Sequence, residues 1–254
     1  MNERMQRMLR RARKLPKRVI LRLQGYDNTS AILLEPFEAI YFQIPKVAST
    51  SMKRMLKAEL GIGGIGVHAT RFPEPDLQRL AAGDYDNYFK FCFVRNPWAR
   101  IVSCYESKIS RGININQVFW VRCLHYLLPH SAGPMLSRLS SSPVFHKHMS
   151  FAEFVDAVCA VPDKHADKHF RAQCYYLCDT NGNLRVNFVG HLESLEDDYR
   201  EIAKRVKFSR SELELRGQSD RRPYRDYYDE STWSKVAQRY AQDVELLGYA
   251  DCKL

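Results

Sequence analysis

Apolar positions change period several times along the chain, and each change marks an element. Ala39-Ile40-Tyr41-Phe42-Gln43-Ile44 is a β-branched and aromatic run closed by Pro45, the pattern of a buried strand. Helical spacing follows from Ser51 to Leu60 and stops at Gly61. A turn rich in glycine (Gly61, Gly63, Gly64, Gly66) then leads to His68. Tyr88-Phe89-Lys90-Phe91-Cys92-Phe93-Val94 predicts a second strand. Asn96 and Pro97 behind it are the residue types of an N-cap and a first helical position, and Trp98, Ile101, Val102 and Tyr105 give the helix its apolar face. Ser150-Phe151-Ala152-Glu153 has the form of a capping box. Val186, Phe188 and Gly190 alternate as a third strand, followed by a helix through Val206. Trp233, Val236, Ala237, Tyr240, Val244 and Leu247 form one helical stripe ended by Gly248. Strands alternating with helices predict one α/β domain around a parallel sheet, residues 31–254. Residues 111–149, with His125, His130, His146 and His148, are aromatic and irregular and show no such pattern.

Composition narrows the class. The chain has 254 residues, 45% hydrophobic and 27% charged, which is globular and excludes collagenous and disordered classes. No apolar run is long enough for a membrane span, and no secretory signal is visible after Met1. The formal charge is +10, but residues 1–24 hold nine bases (Arg4, Arg7, Arg10, Arg11, Arg13, Lys14, Lys17, Arg18, Arg22) against Glu3 alone. That arm, residues 1–30, is read apart from the domain. The body is nearly neutral, so a nucleic-acid partner is not expected. Met1, Met5, Met8, Leu9 and Ala12 recur at helical spacing inside the arm, as in a basic amphipathic helix for an anionic membrane or a partner, a transit peptide, or a solvated tail. Seven scattered cysteines, with Cys174 and Cys178 lacking a second pair to complete a zinc set, read as reduced thiols of a cytosolic protein. No carboxylate and histidine spacing suggests a metal.

The chemistry is concentrated at two strand ends. Pro45-Lys46-Val47-Ala48-Ser49-Thr50-Ser51-Met52 passes from strand to helix, where backbone N–H groups and the helix dipole favour an anion; Lys46 adds a charge and the hydroxyls add donors. The glycines of a Walker A loop are missing, which disfavours a kinase. At the next strand end, Arg95 offers a fork of donors and Ser103, two turns on, a hydroxyl, together suited to a second phosphate. Taken alone, each reading competes with an ordinary helix cap or ion pair. Together they call for a ligand with phosphates at both ends of a nucleoside.

These motifs resemble those of sulfotransferases that use 3′-phosphoadenosine 5′-phosphosulfate (PAPS). The likeness is to the carbohydrate branch that includes heparan 2-O-, chondroitin and HNK-1 sulfotransferases and bacterial relatives. It continues through Asp167-Lys168-His169-Phe170-Arg171-Ala172-Gln173, through Phe188 to Asp198, and through Arg222-Pro223-Tyr224-Arg225-Asp226-Tyr227-Tyr228, covering roughly residues 38–250. The resemblance implies a P-loop-like three-layer sandwich with a central parallel sheet. By it, Lys46, Ala48, Ser49, Thr50, Ser51 and Met52 hold the 5′-phosphosulfate and Arg95 and Ser103 the 3′-phosphate. A late loop from Ser219 brings Arg221 or Arg222 to the phosphates. His68 is the expected base, with His169 as the runner-up, read first as a contact to acceptor or nucleotide. Arg71, His169 and Gln173 are expected against the acceptor.

The expected reaction is in-line sulfuryl transfer to a carbohydrate hydroxyl of a polysaccharide, glycolipid or lipo-oligosaccharide, giving 3′,5′-adenosine bisphosphate without a metal. The rival is a catalytically silent domain that binds nucleotide or an anionic polymer. Asn96 stands where some branches have aspartate, and the Golgi anchor of the animal enzymes is missing, so the expectation is a bacterial, cytoplasmic enzyme with peripheral membrane contact through residues 1–24.

Overall fold

The computed structural model describes residues 31–64, 66–110, 145–146, 148–179, 181–214 and 222–254. The basic arm and most of the 111–149 stretch lie outside them, as do Ser219 and Arg221.

Four strands form one sheet in chain order: β1 (Ala31–Leu34), β2 (Ala39–Phe42), β3 (Phe89–Val94) and β4 (Phe188–His191). β2, β3 and β4 run parallel, in register Tyr41↔Phe91 and Phe91↔Phe188. β1 is antiparallel to β2 across a tight hairpin, Ala31↔Phe42 to Leu34↔Ala39. The sheet is therefore mixed: a parallel core with one antiparallel edge, which the sequence reading had placed only as the start of the body. Successive side chains point to opposite faces of a strand, so full burial of Ala39–Phe42 and Phe91–Val94 means that both faces of the sheet are covered. This is an α/β domain of the P-loop-like kind.

The parallel strands lead into helices at their carboxyl ends. α1 (Ser49–Glu59) follows β2, α3 (Pro97–Tyr105) follows β3, and α6 (Leu195–Val206) follows β4 across a short 3-10 turn. α2 (Leu77–Ala82) lies between α1 and β3. On one face Tyr41, Phe89 and Phe188 surround Phe91, and Phe208, just after α6, meets Phe91 edge-on. Gly190 lets that face close. A Cβ there would come 2.6 Å from the Phe93 ring and 3.3 Å from Asp198 of α6.

α4 (Phe151–Cys159) opens on the expected capping box, Ser150 and Glu153 bonding each other's backbone amides. It packs against α7 (Glu230–Arg239), which begins with a second box, Asp229 and Thr232. α5 is a single turn, Cys174–Leu177. The C-terminal stripe is two helices rather than one. α7 ends at Tyr240, whose φ of −113° and ψ of 29° break the ladder before α8 (Ala241–Leu246). A continuous apolar stripe survives this break because the Tyr240 ring stays buried on the same side. All six described cysteines are free thiols.

Candidate active site

β2 ends in a turn of unusual handedness. Lys46 and Ala48 both have positive φ, 75° and 57°, a region that side chains with a Cβ seldom adopt. Alternation of hand over adjacent residues points successive N–H groups into one concavity, the geometry of an anion nest. The nest opens directly into α1. Ala48 is the N-cap, no side chain caps it, and the helical ladder begins with Ser51 and Met52 bonding the Ala48 carbonyl at 3.0 and 3.2 Å. The first-turn amides of Ser49 and Thr50 thus have no partner within the helix. Ser51 and Met52 are buried. The Lys46 ammonium folds over the turn and donates to Ser107 Oγ at 2.7 Å, on the π turn that extends α3.

β3 ends in a different way. Asn96 caps α3, its side chain accepting from the Ala99 amide at 3.1 Å, with Pro97 in the first turn as the sequence predicts. Arg95 is clamped through its backbone: its N–H donates to Gln173 Oε1 at 2.9 Å and its carbonyl accepts from Gln173 Nε2 at 2.8 Å. Glu193, just past β4, accepts the Asn96 amide at 2.9 Å and the Tyr249 hydroxyl at 3.0 Å. Behind Gln173 stands Asp243 of α8, fully buried, taking the Gln173 and Cys174 amides at 2.8 Å each. Burial pushes the Asp243 carboxyl up, and those amides and the Arg100 charge oppose that only in part. Gln173, expected against the acceptor, has no exposed surface. Its amide is spent on the Arg95 backbone, so it shapes the turn from which the Arg95 side chain projects. Ser103 lies buried further along α3.

Arg100, one turn into α3 and 1% exposed, joins these elements to a third segment. Its guanidinium donates to the carbonyls of Pro45 at 3.2 Å, Arg171 at 2.8 Å and Lys168 at 3.5 Å. The 166–171 turn so attached carries an imidazole–carboxylate pair, His169 Nδ1 to Asp167 Oδ1 at 2.6 Å, with the His169 amide on the same oxygen at 2.9 Å. Burial pushes the Asp167 carboxyl up. The hydrogen bonds from His169, aided by the charges of His169 and Lys108, outweigh that and hold it below the usual carboxylate range. Beside an ionised Asp167, Nδ1 is the donating nitrogen, so in the neutral ring the acceptor is Nε2. Burial pushes the Cys104 thiol up to about 12, while it feels Lys46, Arg100, Asp167 and Lys108 together, so these charges converge on one side of α3.

The remaining expected residues are more peripheral. His68 is exposed on a turn closed by the Ala69 amide on the Gly66 carbonyl at 2.9 Å, and Arg71 is exposed beside it. Phe72 packs under the Lys53 ammonium, 5.8 Å from ring centroid to nitrogen. Burial and the charge of Lys168 lower the Lys53 pKa. Arg222 is exposed and lies 3.9 Å over the Tyr227 ring, whose hydroxyl donates to Glu106 at 2.9 Å. His146, His148 and His165 are exposed, and His125 and His130 lie outside the described residues. Sequence reading missed Arg100, Asp167, Glu193 and Asp243. Only Asp167 carried a signal, a carboxylate two residues before His169.

The profile of the Sulfotransferase family matches residues 32–250, and the chain belongs to that family. Among characterised proteins it is similar to mouse carbohydrate sulfotransferase 14, 27% identical over 184 residues, covering 69% of this chain and 46% of that protein. Zebrafish carbohydrate sulfotransferase 11 is 26% identical over 195 residues (71% and 53%), and mouse carbohydrate sulfotransferase 12 is 26% identical over 216 (73% and 50%). The chain therefore spans about half the length of the relatives it matches. No solved structure matches it.

Proposed function

We propose that the protein moves a sulfuryl group from PAPS to a carbohydrate hydroxyl, with the β2 turn at the phosphosulfate, Arg95 and Ser103 at the 3′-phosphate, and His169 as the base. The observation that carries this reading is the β2 turn: Lys46 and Ala48 in left-handed conformations, opening into an α1 N-terminus that no side chain caps. Such a turn is strained for its own sake and suited to oxygens that arrive with a ligand. The family match and the names of the relatives supply the group transferred and the class of acceptor.

In the proposed transfer, the acceptor oxygen bonds to sulfur as the bond from sulfur to the 5′-phosphate oxygen breaks. The electron pair leaves with 3′,5′-adenosine bisphosphate, and the acceptor proton passes to a base. Lys46 and the loop amides meet the charge that grows on the departing oxygen; fixed donors aimed at developing charge are worth most in a transition state. His169 is favoured over His68 because Asp167 sets its tautomer and Arg100 ties its turn to the Lys46 loop, whereas His68 stands exposed without a carboxylate partner among the described residues. PAPS labelled in its sulfuryl group, incubated with a panel of polysaccharide, glycolipid and lipo-oligosaccharide acceptors, tests the reading. Label should move to one acceptor class. Tight binding of the bisphosphate with no transfer to any of them would favour the silent nucleotide-binding domain.

A further inference from the structure

We infer that Arg100 is a positioning residue, a buried brace that fixes the turn carrying Lys46 against the turn carrying His169. Each of its three hydrogen bonds ends on a backbone carbonyl, and these belong to two segments far apart in sequence, Pro45 on one side and Lys168 and Arg171 on the other. Among the described residues no carboxylate makes an ion-pair contact with the Arg100 guanidinium, and burying such a group is costly where an apolar side chain could fill the same space in α3. What only arginine provides is a rigid planar fork with five donors, able to hold carbonyls in different directions at once.

Both braced segments are stiff on their own. Pro45 has a fixed φ and precedes the left-handed Lys46. The other turn is closed by Phe170 and Arg171 amides on the Asp167 carbonyl at 3.1 and 2.9 Å, by the Arg171 guanidinium on the Ala166 carbonyl, and by the Tyr176 hydroxyl on the Lys168 carbonyl at 3.1 Å. Two stiff turns joined by one side chain behave as a single frame. Removing the brace lets them drift relative to each other and loosens the bonds that close each. The consequence for turnover rests on the transferase reading above; the mechanical link rests on the contacts alone.

The full chain with Arg100→Lys is the test, since a lysine stays cationic but gathers its donors on a single nitrogen instead of spreading them over a planar fork, and Arg100→Gln is the second variant. Hydrogen exchange should show faster exchange of the Ser51 and Met52 amides and of the Phe170 and Arg171 amides together, the first bonded amides of the two segments, with β2, β3 and α7 unchanged. Turnover should fall by about 10²-fold, the usual effect of misplacing reacting groups by an ångström. Calorimetry with 3′,5′-adenosine bisphosphate should keep its stoichiometry, with an affinity that falls far less than turnover does, because the Arg95 clamp holds the other end of the nucleotide. The inference is overturned if folded Arg100→Lys keeps both protection and turnover, or if turnover falls only in step with the binding stoichiometry, which marks lost folded protein. If neither variant folds, Arg100 is a folding residue and the inference also fails. A wild-type protein that never moves label, with the two segments still losing protection together in the variant, counts against the transferase reading and leaves the brace standing.

Discussion

The turns after β2 and β3 sit side by side at the same edge of the same sheet, and they are built on opposite plans. The first leaves its helix uncapped and accepts two left-handed residues, Lys46 and Ala48. The second has no left-handed residue, its helix is capped by Asn96, and its backbone is held by Gln173 and Glu193. An uncapped, strained turn gains most from a ligand that brings oxygens to its amides. A capped turn has already used those amides, so it would meet an anion with a side chain, which in the proposed reading is Arg95. Topology alone makes the two ends equivalent; the distribution of caps divides them, and in the proposed transfer the first turn faces the reacting group and the second anchors the far end of the nucleotide.

Variants that separate reaction from anchoring sharpen this contrast. The largest effect is expected from His169→Ala, because His169 belongs to the frame of the first turn: turnover should fall about 10²–10⁴-fold while bisphosphate affinity stays level in calorimetry. Normal turnover in that variant, with loss in His68→Ala, would return the base to the glycine-rich turn. Lys46→Ala is expected to lower turnover by about 10²–10³-fold and to weaken bisphosphate binding as well. Arg95→Ala should instead weaken bisphosphate binding by about 2–5 kcal/mol and leave turnover at saturating PAPS near wild type. Equal kinetic signatures for Lys46→Ala and Arg95→Ala would dissolve the distinction between the two turns.

Stability gives the contrast opposite signs. Asn96→Ala removes a cap and should destabilise by about 1 kcal/mol. Ala48→Gly relieves a left-handed alanine and should stabilise by about 0.5–1 kcal/mol after the entropy of glycine is deducted. Urea unfolding of both, in the absence of nucleotide, measures the difference. The smallest effect is the acid dependence of the His169 turn. The folded Asp167 carboxyl is held below its unfolded value. Its contribution is thus complete above the unfolded pKa of about 4 and is lost as pH falls through the lower folded value. Asp167→Asn should flatten that part of the stability profile, on the acid side of the unfolded carboxylate range.

The amino-acid pattern alone determined the elements that carry the site. Period-2 and period-3.6 runs located β2, β3, α1 and α3, and the type of residue at each junction located the Asn96 cap, the Ser150 box, Lys46 and Arg95. Such features are local: they depend on neighbours a few positions away, and their signal is written in consecutive residues. The antiparallel edge β1 escaped because four buried apolar residues have no alternation to show, and the break at Tyr240 escaped because the apolar stripe runs through it. The exposure of His68, the burial of Gln173 and the roles of Arg100 and Asp243 were decided only in three dimensions. Arg100 looks like any surface arginine until α3 turns it inward toward carbonyls 55 and 71 positions away. A hydrogen bond between side chain and distant backbone leaves no trace in either local sequence, since every residue but proline offers the same carbonyl and amide, and even proline offers the carbonyl.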